Sequence, residues 1–189
     1  MSDPAPGSSR GLVVALTVIY LVLLGWLILW KFDVPYVGAA ARFPRPIKLI
    51  PFAASAGAGA SSPWEVLANI ALFVPFGLYL GLLAPAWRWW KAASVFAAAS
   101  LALEITQHLI STGSFDITDV ITNAAGGLLG FGLLALARRR LGTRATAVMA
   151  RVMAVFTVIF LVATGVFLAS PLHYAPRHDV VVPSPTASA

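Results

Sequence analysis

Two stretches of the chain place polar side chains at helical spacing inside strongly apolar sequence. Glu104, Gln107 and His108 lie at positions i, i+3 and i+4, so they share one stripe if the stretch is helical. After a short break, Asp119 and Asn123 again lie at i and i+4. Two helices joined by a tight loop would turn these stripes toward each other. Paired carboxylates can carry out general acid–base chemistry, so Glu104 and Asp119 are candidate catalytic residues.

The composition is that of an integral membrane protein. Hydrophobic residues make up 59% of the 189 residues and charged residues only 11%, which lies far outside the range of soluble domains. The net charge of +6 is explained by basic residues at the bilayer ends, so we expect no nucleic-acid partner. The chain has no cysteine, which excludes disulfides and thiolate chemistry. The partner that the composition predicts is the lipid bilayer.

The apolar segments predict an all-α bundle of about five transmembrane helices. We expect them at residues 11–30, 63–84, 91–110, 118–137 and 152–169. A long extracytoplasmic loop is expected between helices 1 and 2. The predicted domain organisation is a disordered amino terminus at residues 1–10, one helical membrane domain at 11–170, and a flexible Pro/Ser/Thr/Ala-rich tail at 171–189.

Four residues within the predicted helices have a structural interpretation. Pro75 lies in the interior of helix 2, where it removes a backbone donor. Gly77 is followed four residues later by another glycine, and Gly126 and Gly130 repeat this spacing on helix 4. Small residues at such spacing let membrane helices pack closely.

The distribution of basic residues predicts the orientation. Five spans place eight of the 13 Lys and Arg residues on the side of the amino terminus and five on the other side, in longer loops. Cytoplasmic loops carry the excess of positive charge. We therefore predict a multi-pass cell-membrane protein with a cytoplasmic amino terminus and an extracytoplasmic carboxyl terminus. The candidate polar residues then lie in the outer half of the bundle.

The spaced blocks resemble the VanZ-like family of small bacterial membrane proteins, named for a gene linked to resistance to teicoplanin-type glycopeptides. The resemblance covers about residues 47 to 132 and implies a role in the cell envelope. It does not imply an established reaction. Its blocks are Leu49-Ile50-Pro51-Phe52; Asn69, Phe73, Pro75 and Gly77; and Glu104, Gln107, Asp116, Asp119, Asn123, Gly126 and Gly130.

One position departs from the family pattern. Members often carry an arginine between the Glu-x2-Gln block and the aspartates, whereas this chain has Ser-Thr-Gly-Ser at residues 111–114. If that arginine pairs with a carboxylate or a ligand phosphate, another basic residue has to replace it. The candidates are Arg42, Arg45 and Lys48.

The polar residues have two interpretations. They could form a network of hydrogen bonds that only holds the helices together, or they could form a site open to the outer surface, since ionisable groups inside membranes are functional candidates. We favour the site, with the ligand-binding candidates Asn69, Gln107, His108, Asp116, Asn123, Arg42, Arg45 and Lys48. His108 is equally compatible with an interfacial or core position. The chain has no HExxH motif or cysteine cluster, so we expect no metal and no cofactor.

Three functions follow from this site. The first is engagement of a lipid-linked or peptidoglycan-related ligand, which could reduce glycopeptide susceptibility. The second is a membrane hydrolase or transferase acting on a lipid-linked phosphate or sugar, and the third is a small proton-coupled transporter. The sequence does not decide among them, and it does not indicate the oligomeric state.

The orientation is open to a direct test. A pair of topology reporters fused after Ala189, one active only in the cytoplasm and one only outside it, should give activity from the external reporter alone. Activity from the cytoplasmic reporter would contradict both the number of spans and the position of the candidate site.

Overall fold

Helices dominate the computed structural model, which describes residues 6–30, 47–53 and 61–170. The expected helical fold is confirmed in this part of the chain. Arg42, Arg45 and the predicted tail at 171–189 lie outside the described residues. In chain order the elements are α1 (Pro6–Trp30), β1 (Ile47–Lys48), α2 (Pro63–Leu83), α3 (Trp89–Leu109), β2 (Phe115–Asp116), α4 (Ile117–Leu141), a 3-10 turn (Gly142–Arg144) and α5 (Ala145–Ala169).

Much of the helical structure is apolar enough to cross a membrane. Within the described residues, three stretches meet the length and hydropathy of a span: Arg10–Trp30, Pro63–Leu83 and Ile117–Ala169. The last stretch contains both α4 and α5. Helix α3 is not among them, and it carries Glu104, Gln107 and His108. The chain therefore has membrane-spanning helices, while the count of five crossings stays a prediction.

Several helix ends differ from those that the sequence predicts. Helix α1 begins at Pro6, five residues before the predicted start at Gly11. Proline fits the first turn of a helix because its missing N–H has no partner there. Helix α4 continues to Leu141, four residues beyond Ala137, with three arginines in its last turn. Positive charge is favourable at that end of a helix because of the helix dipole.

A short β-ladder is the element that the all-α prediction missed. Strands β1 and β2 pair in parallel, with Ile47 opposite Phe115 and Lys48 opposite Asp116. The ladder joins the segment before α2 to the connection between α3 and α4. Two residues per strand carry too little periodicity to be recognised in a sequence.

Helices α2 and α4 touch through their backbones. A Cβ atom at Gly126 would overlap the carbonyl oxygen of Ile70, and one at Gly130 would overlap that of Val74. A Cβ atom at Gly77 would likewise overlap the carbonyl oxygen of Gly127. Because the contacts advance along both helices together, α2 and α4 run in the same direction. Helix α2 continues unbroken through Pro75, which is buried in it.

Tyrosine hydroxyls connect α1 and α5 to this pair of helices. The Tyr20 hydroxyl of α1 donates to the carbonyl oxygen of Leu72 in α2. The Tyr79 hydroxyl of α2 donates to the Met153 carbonyl oxygen of α5 at 3.1 Å and lies 2.6 Å from Thr157 Oγ1. Both tyrosines are buried. Each phenol thus adds a hydrogen bond between helices to its apolar packing.

The backbone contact predicts a difference between two glycines that are two residues apart. Gly130→Ala should lower the melting temperature in detergent, because overpacking typically costs about 1–3 kcal/mol. Gly132→Ala is the matched control, since nothing lies within 4 Å of a Cβ there, and it should be neutral or slightly stabilising. Equal melting temperatures for the two variants would show that α2 and α4 do not approach this closely.

Candidate functional site

Helices α3 and α4 pack antiparallel in a register that brings polar side chains together. Successive contacts are four residues apart on each helix, which is about one helical turn. Near the connection between the two helices, this register matches polar residues with polar residues. The contacting pairs are Phe96 with Gly127, Ser100 with Asn123, and Glu104 with Asp119.

Glu104 is a buried carboxyl group with two neighbours. Its side chain is only 2% exposed, and its Oε2 atom accepts a hydrogen bond from the backbone N–H of Asp116 at 2.9 Å. Asp119 lies beside it, close enough for the two carboxyl groups to interact. Two carboxyl groups held close together away from water favour a proton on one of them, because two like charges repel. The pair is therefore suited to take up a proton between α3 and α4.

Asp119 extends this contact to α2. Asn69 Nδ2 donates to Asp119 Oδ1 at 2.6 Å, so side chains from three helices meet at one point. Asp119 lies in the first turn of α4, where the helix dipole favours negative charge. We call the group of Glu104, Asp116, Asp119, Asn69 and Lys48 the carboxylate cluster.

Lys48 and Asp116 form a buried ion pair at the edge of the cluster. Lys48 Nζ lies 2.8 Å from Asp116 Oδ2, and the two side chains are 7% and 10% exposed. The hydroxyl of Ser61 donates to the same oxygen at 3.1 Å, and the backbone N–H of Thr118 donates to Asp116 Oδ1 at 2.8 Å. Asp116 is thus the N-cap of α4 as well as the partner of Lys48. Of the three basic residues named as replacements for the missing arginine, Lys48 is the one that lies in the described residues, and it pairs with a carboxylate.

The segment around Lys48 is fixed to the start of α4 by its backbone. The Phe52 N–H donates to Thr118 Oγ1 at 3.0 Å, and Phe52 has a φ of 59°. That left-handed conformation is uncommon for a bulky residue and costs free energy. The β-ladder and this hydrogen bond together bring the Leu49–Phe52 motif next to the carboxylate cluster.

Asn123 presents an open acceptor one turn along α4 from Asp119. Its Nδ2 donates to Ser100 Oγ at 2.8 Å, and Ser100 Oγ lies 3.5 Å from the Asp119 carbonyl oxygen. Asn123 is 3% exposed, yet its Oδ1 has no hydrogen-bond partner among the described residues. A buried acceptor without a donor is costly, so this oxygen is suited to a hydroxyl, amide or water from outside the chain.

Two predicted site residues lie apart from the cluster. Gln107 Nε2 donates to the carbonyl oxygen of Ile28 in α1 at 2.7 Å, which ties α3 to α1. His108 lies beside Ile105 and Leu109 in the wall of an apolar groove. No group of three or more His, Cys, Asp or Glu residues in the described ranges is placed to hold a metal ion.

Three residues that form hydrogen bonds within or beside the carboxylate cluster were not predicted from the sequence. Ser61 and Thr118 hold Asp116 and the Phe52 segment, and Ser100 holds Asn123. Thr118 follows Asp116 at the start of an apolar run, which is a recognisable N-cap pattern. Ser100 lies four residues before Glu104 and so belongs to the same stripe. Ser61 has no signal in the sequence, because its contact depends on the fold of the preceding segment.

Comparisons with known proteins agree with the resemblance described above. The family model described as VanZ/LLP1 matches residues 17–138. Protein VanZ of Enterococcus faecium is 33% identical over 136 residues, which cover 72% of this chain and 79% of that relative. No solved structure gives a significant match.

The buried ion pair predicts a pH-dependent stability. Burial by itself raises the pKa of Asp116, but the hydrogen bonds from Lys48, Thr118 and Ser61 outweigh it and lower the pKa below its usual value. A depressed carboxyl pKa contributes stability that is complete above the unfolded pKa of about 3.9 and is lost as the pH falls through the folded pKa. Asp116→Asn should therefore melt below wild type at neutral pH, and the gap should shrink below about pH 4.

The double variant Lys48→Gln with Asp116→Asn is the control, because it removes both charges. It should be more stable than Asp116→Asn alone, since breaking one side of a buried pair costs about 3–5 kcal/mol. A gap between wild type and Asp116→Asn that is the same at acid and neutral pH would contradict the ion pair as the cause.

Proposed function

The chain belongs to the VanZ/LLP1 family, and we propose that its carboxylate cluster engages a cell-envelope ligand from the outer side of the membrane. The ligand is a lipid-linked or peptidoglycan-related molecule. Its engagement reduces susceptibility to glycopeptides of the teicoplanin type, as the family resemblance implies for some members. Asn69, Glu104, Asp119 and Asn123 form the polar pocket.

The proposed topology has five spans, with the amino terminus inside and the carboxyl terminus outside. The excess of Lys and Arg on the amino-terminal side supports it. The packing is compatible with it, because α2 and α4 run in the same direction and α3 runs against α4. The start of α4, and with it the carboxylate cluster, then faces the outside.

The observation that carries this proposal is the pairing of Glu104 with Asp119 beside an unsatisfied acceptor. Hydrogen bonds that only join helices are commonly made by neutral Ser, Thr, Asn and Gln side chains. This chain instead sets the buried carboxyl group of Glu104 beside the half-buried one of Asp119, and Asn123 Oδ1, one turn away, has no hydrogen-bond partner among the described residues. Intramembrane ionisable groups are rare and mark functional sites. The combination favours a ligand that is held by hydrogen bonds.

A carboxyl pair that can take up and release a proton also fits two alternatives. A hydrolase or transferase acting on a lipid-linked phosphate or sugar would use the carboxyl pair as acid and base, and turnover of such a lipid by purified protein identifies it. A proton-coupled transporter would load and release the proton as it moves its substrate. Ligand-dependent proton uptake in liposomes identifies that function.

Charge-removing substitutions test the pocket. Glu104→Gln and Asp119→Asn keep side-chain shape and most hydrogen bonds, so both variants should insert and fold. Each should lose the protection that wild type gives a sensitised host against teicoplanin, because an amide can neither carry the charge of a carboxylate nor exchange its proton. Membrane abundance and detergent melting temperature are measured beside susceptibility to separate function from folding.

Tyr79→Phe is the matched control for the loss of a hydrogen bond between helices. It removes the bond to Met153 but lies outside the carboxylate cluster, and such bonds contribute only about 0.6–2 kcal/mol. It should protect like wild type. If Glu104→Gln and Asp119→Asn also protect like wild type, the carboxyl pair is structural and the proposed function is wrong.

A further inference from the structure

The carboxyl groups in the described part of the chain lie at one end of the bundle. They are Glu65 near the start of α2, Glu104 near the end of α3, and Asp116 and Asp119 at the start of α4. Of the described lysines and arginines, Lys48 alone lies at this end, because the others lie near the start of α1, around the α2–α3 connection, or between the end of α4 and the first turns of α5. Lys48 is already paired with Asp116. The other three carboxyl groups therefore have no lysine or arginine partner within these residues.

Burial of the polar groups increases stepwise from Glu65 into the bundle. Glu65 is exposed, and Asn69, one turn further along α2, is half-buried. Asp119 is also half-buried, and it lies close enough to Glu65 for their charges to interact. Glu104, beside Asp119, is only 2% exposed. We call Glu65, Asp119 and Glu104 the acidic path, because they lead from the surface to the buried carboxyl group.

The side-chain nitrogen atoms around the acidic path already donate to acceptors of the protein. Asn69 Nδ2 donates to Asp119 Oδ1 at 2.6 Å, and Asn123 Nδ2 donates to Ser100 Oγ at 2.8 Å. Lys48 Nζ forms the ion pair described above. A ligand phosphate or carboxylate would therefore meet negative charge here without an unpaired cation from the described residues. Like charges this close repel each other.

Asn123 supplies an independent observation that points to a donor. The Ser100 hydroxyl donates toward the Asp119 carbonyl oxygen at 3.5 Å, so the Ser100 oxygen is the acceptor for Asn123 Nδ2. This arrangement leaves Asn123 Oδ1, on a side chain that is 3% exposed, without a partner among the described residues. A buried acceptor of this kind is costly unless a donor reaches it. The carboxyl groups and the amide oxygen are thus matched by the same kind of ligand group.

The charge of the path distinguishes among the possible donors. Hydroxyl and amide groups donate hydrogen bonds but bring no charge, whereas a primary ammonium group brings several N–H donors and a positive charge. Hydrogen bonds between charged groups are roughly twice as strong as those between neutral groups. A metal ion is a cation too, but no group of three or more His, Cys, Asp or Glu residues in ranges 6–30, 47–53 and 61–170 is placed to hold one. A primary ammonium group fits this site best.

We propose that the acidic path binds a primary ammonium group of the cell-envelope ligand, with Glu65 as its outer contact. This inference rests on the proposed function, because it names the group through which that ligand is recognised. Asp119 supplies the negative charge, and Asn123 Oδ1 supplies a neutral acceptor one turn deeper. Two envelope components carry such an ammonium group, namely an aminophospholipid head and the diamino-acid side chain of a peptidoglycan peptide.

Two matched pairs of probes test the ammonium group and distinguish its source. Phosphatidylethanolamine and phosphatidylcholine share the same phosphate, but only the first has N–H donors. Nα-acetyl-lysine methylamide carries an ammonium group that its Nε-acetylated derivative lacks. In competition experiments on the full-length protein by native mass spectrometry, wild type should bind the ammonium member of at least one pair at least about tenfold more tightly, the ratio that one hydrogen bond to a charged group contributes. Preference in the lipid pair assigns the ammonium to a head group, and preference in the soluble pair assigns it to a peptide side chain.

Charge-removing variants test whether the acidic path causes this preference. Glu65→Gln keeps the capping box at the start of α2, since glutamine also serves at that position. It should lower the preference about two- to fivefold, the range expected for an exposed ion pair. Asp119→Asn should lower it by about tenfold, because it removes a half-buried partner. Melting temperatures in detergent show whether each variant is folded.

Arg139→Gln is the matched control, because Arg139 is exposed and changes the net charge by one unit at the opposite end of the bundle. It should leave the preference unchanged. Equal binding of both members in both pairs by wild type overturns the inference. A preference that persists in Glu65→Gln and Asp119→Asn also overturns it, because the ammonium group would then bind elsewhere.

The susceptibility assay separates this inference from the function on which it rests. If wild type shows no ammonium preference while Glu104→Gln fails to protect, the polar pocket stands and the inference about its ligand is wrong. If Glu104→Gln protects fully, the proposed function fails. An ammonium preference that depends on Glu65 and Asp119 would in that case still locate a binding site, but one without a role in protection.

Discussion

The antiparallel register of α3 and α4 is the constraint on which the candidate site depends. A carboxyl group buried in an apolar bundle needs a polar partner at the same depth in the membrane. Only one alignment of the two helices places Glu104 beside Asp119. The same alignment lets Asn123 donate a hydrogen bond to Ser100 and packs the ring of Phe96 against Gly127. A slip by one turn would separate Glu104 from Asp119 and Ser100 from Asn123. The polar pairs thus select the register, and the apolar contact fills the remainder of the interface.

Much of the fold could be predicted because it depends on local composition. Long apolar segments ended by tryptophan and arginine indicate where helices begin and end, and those helices are present in the described residues. The spacing of Glu104, Asp119 and Asn123 likewise indicates which face of each helix carries the polar groups. The family membership follows from spaced residues for the same reason. The function of the clustered residues is still a proposal, because residue spacing indicates where the side chains lie and not which ligand they bind or which reaction they serve.

The remaining features depend on contacts between distant parts of the chain. Lys48 and Asp116 are 68 positions apart and meet through a ladder of two residues per strand, which leaves no periodic signal. Gln107 shares the stripe of Glu104 but bonds to α1, because its direction on the helix surface depends on which neighbour lies there. Ser61 reaches Asp116 only once the segment before α2 has folded. In each case the sequence offers a suitable side chain, and only the packing decides its partner.

The direct backbone contact of α2 with α4 has a consequence for the order of assembly in the bilayer. These helices are separated in the chain by α3, and their contact is the most extensive in the described fold. When α2 first enters the membrane, its glycine face has only lipid against it and Asn69 has no partner on α4. Helix association in membranes follows the insertion of individual helices, so this surface has to wait until synthesis has passed Gly130. The carboxylate cluster, which needs α2, α3 and α4 together, can therefore mature only late in biogenesis.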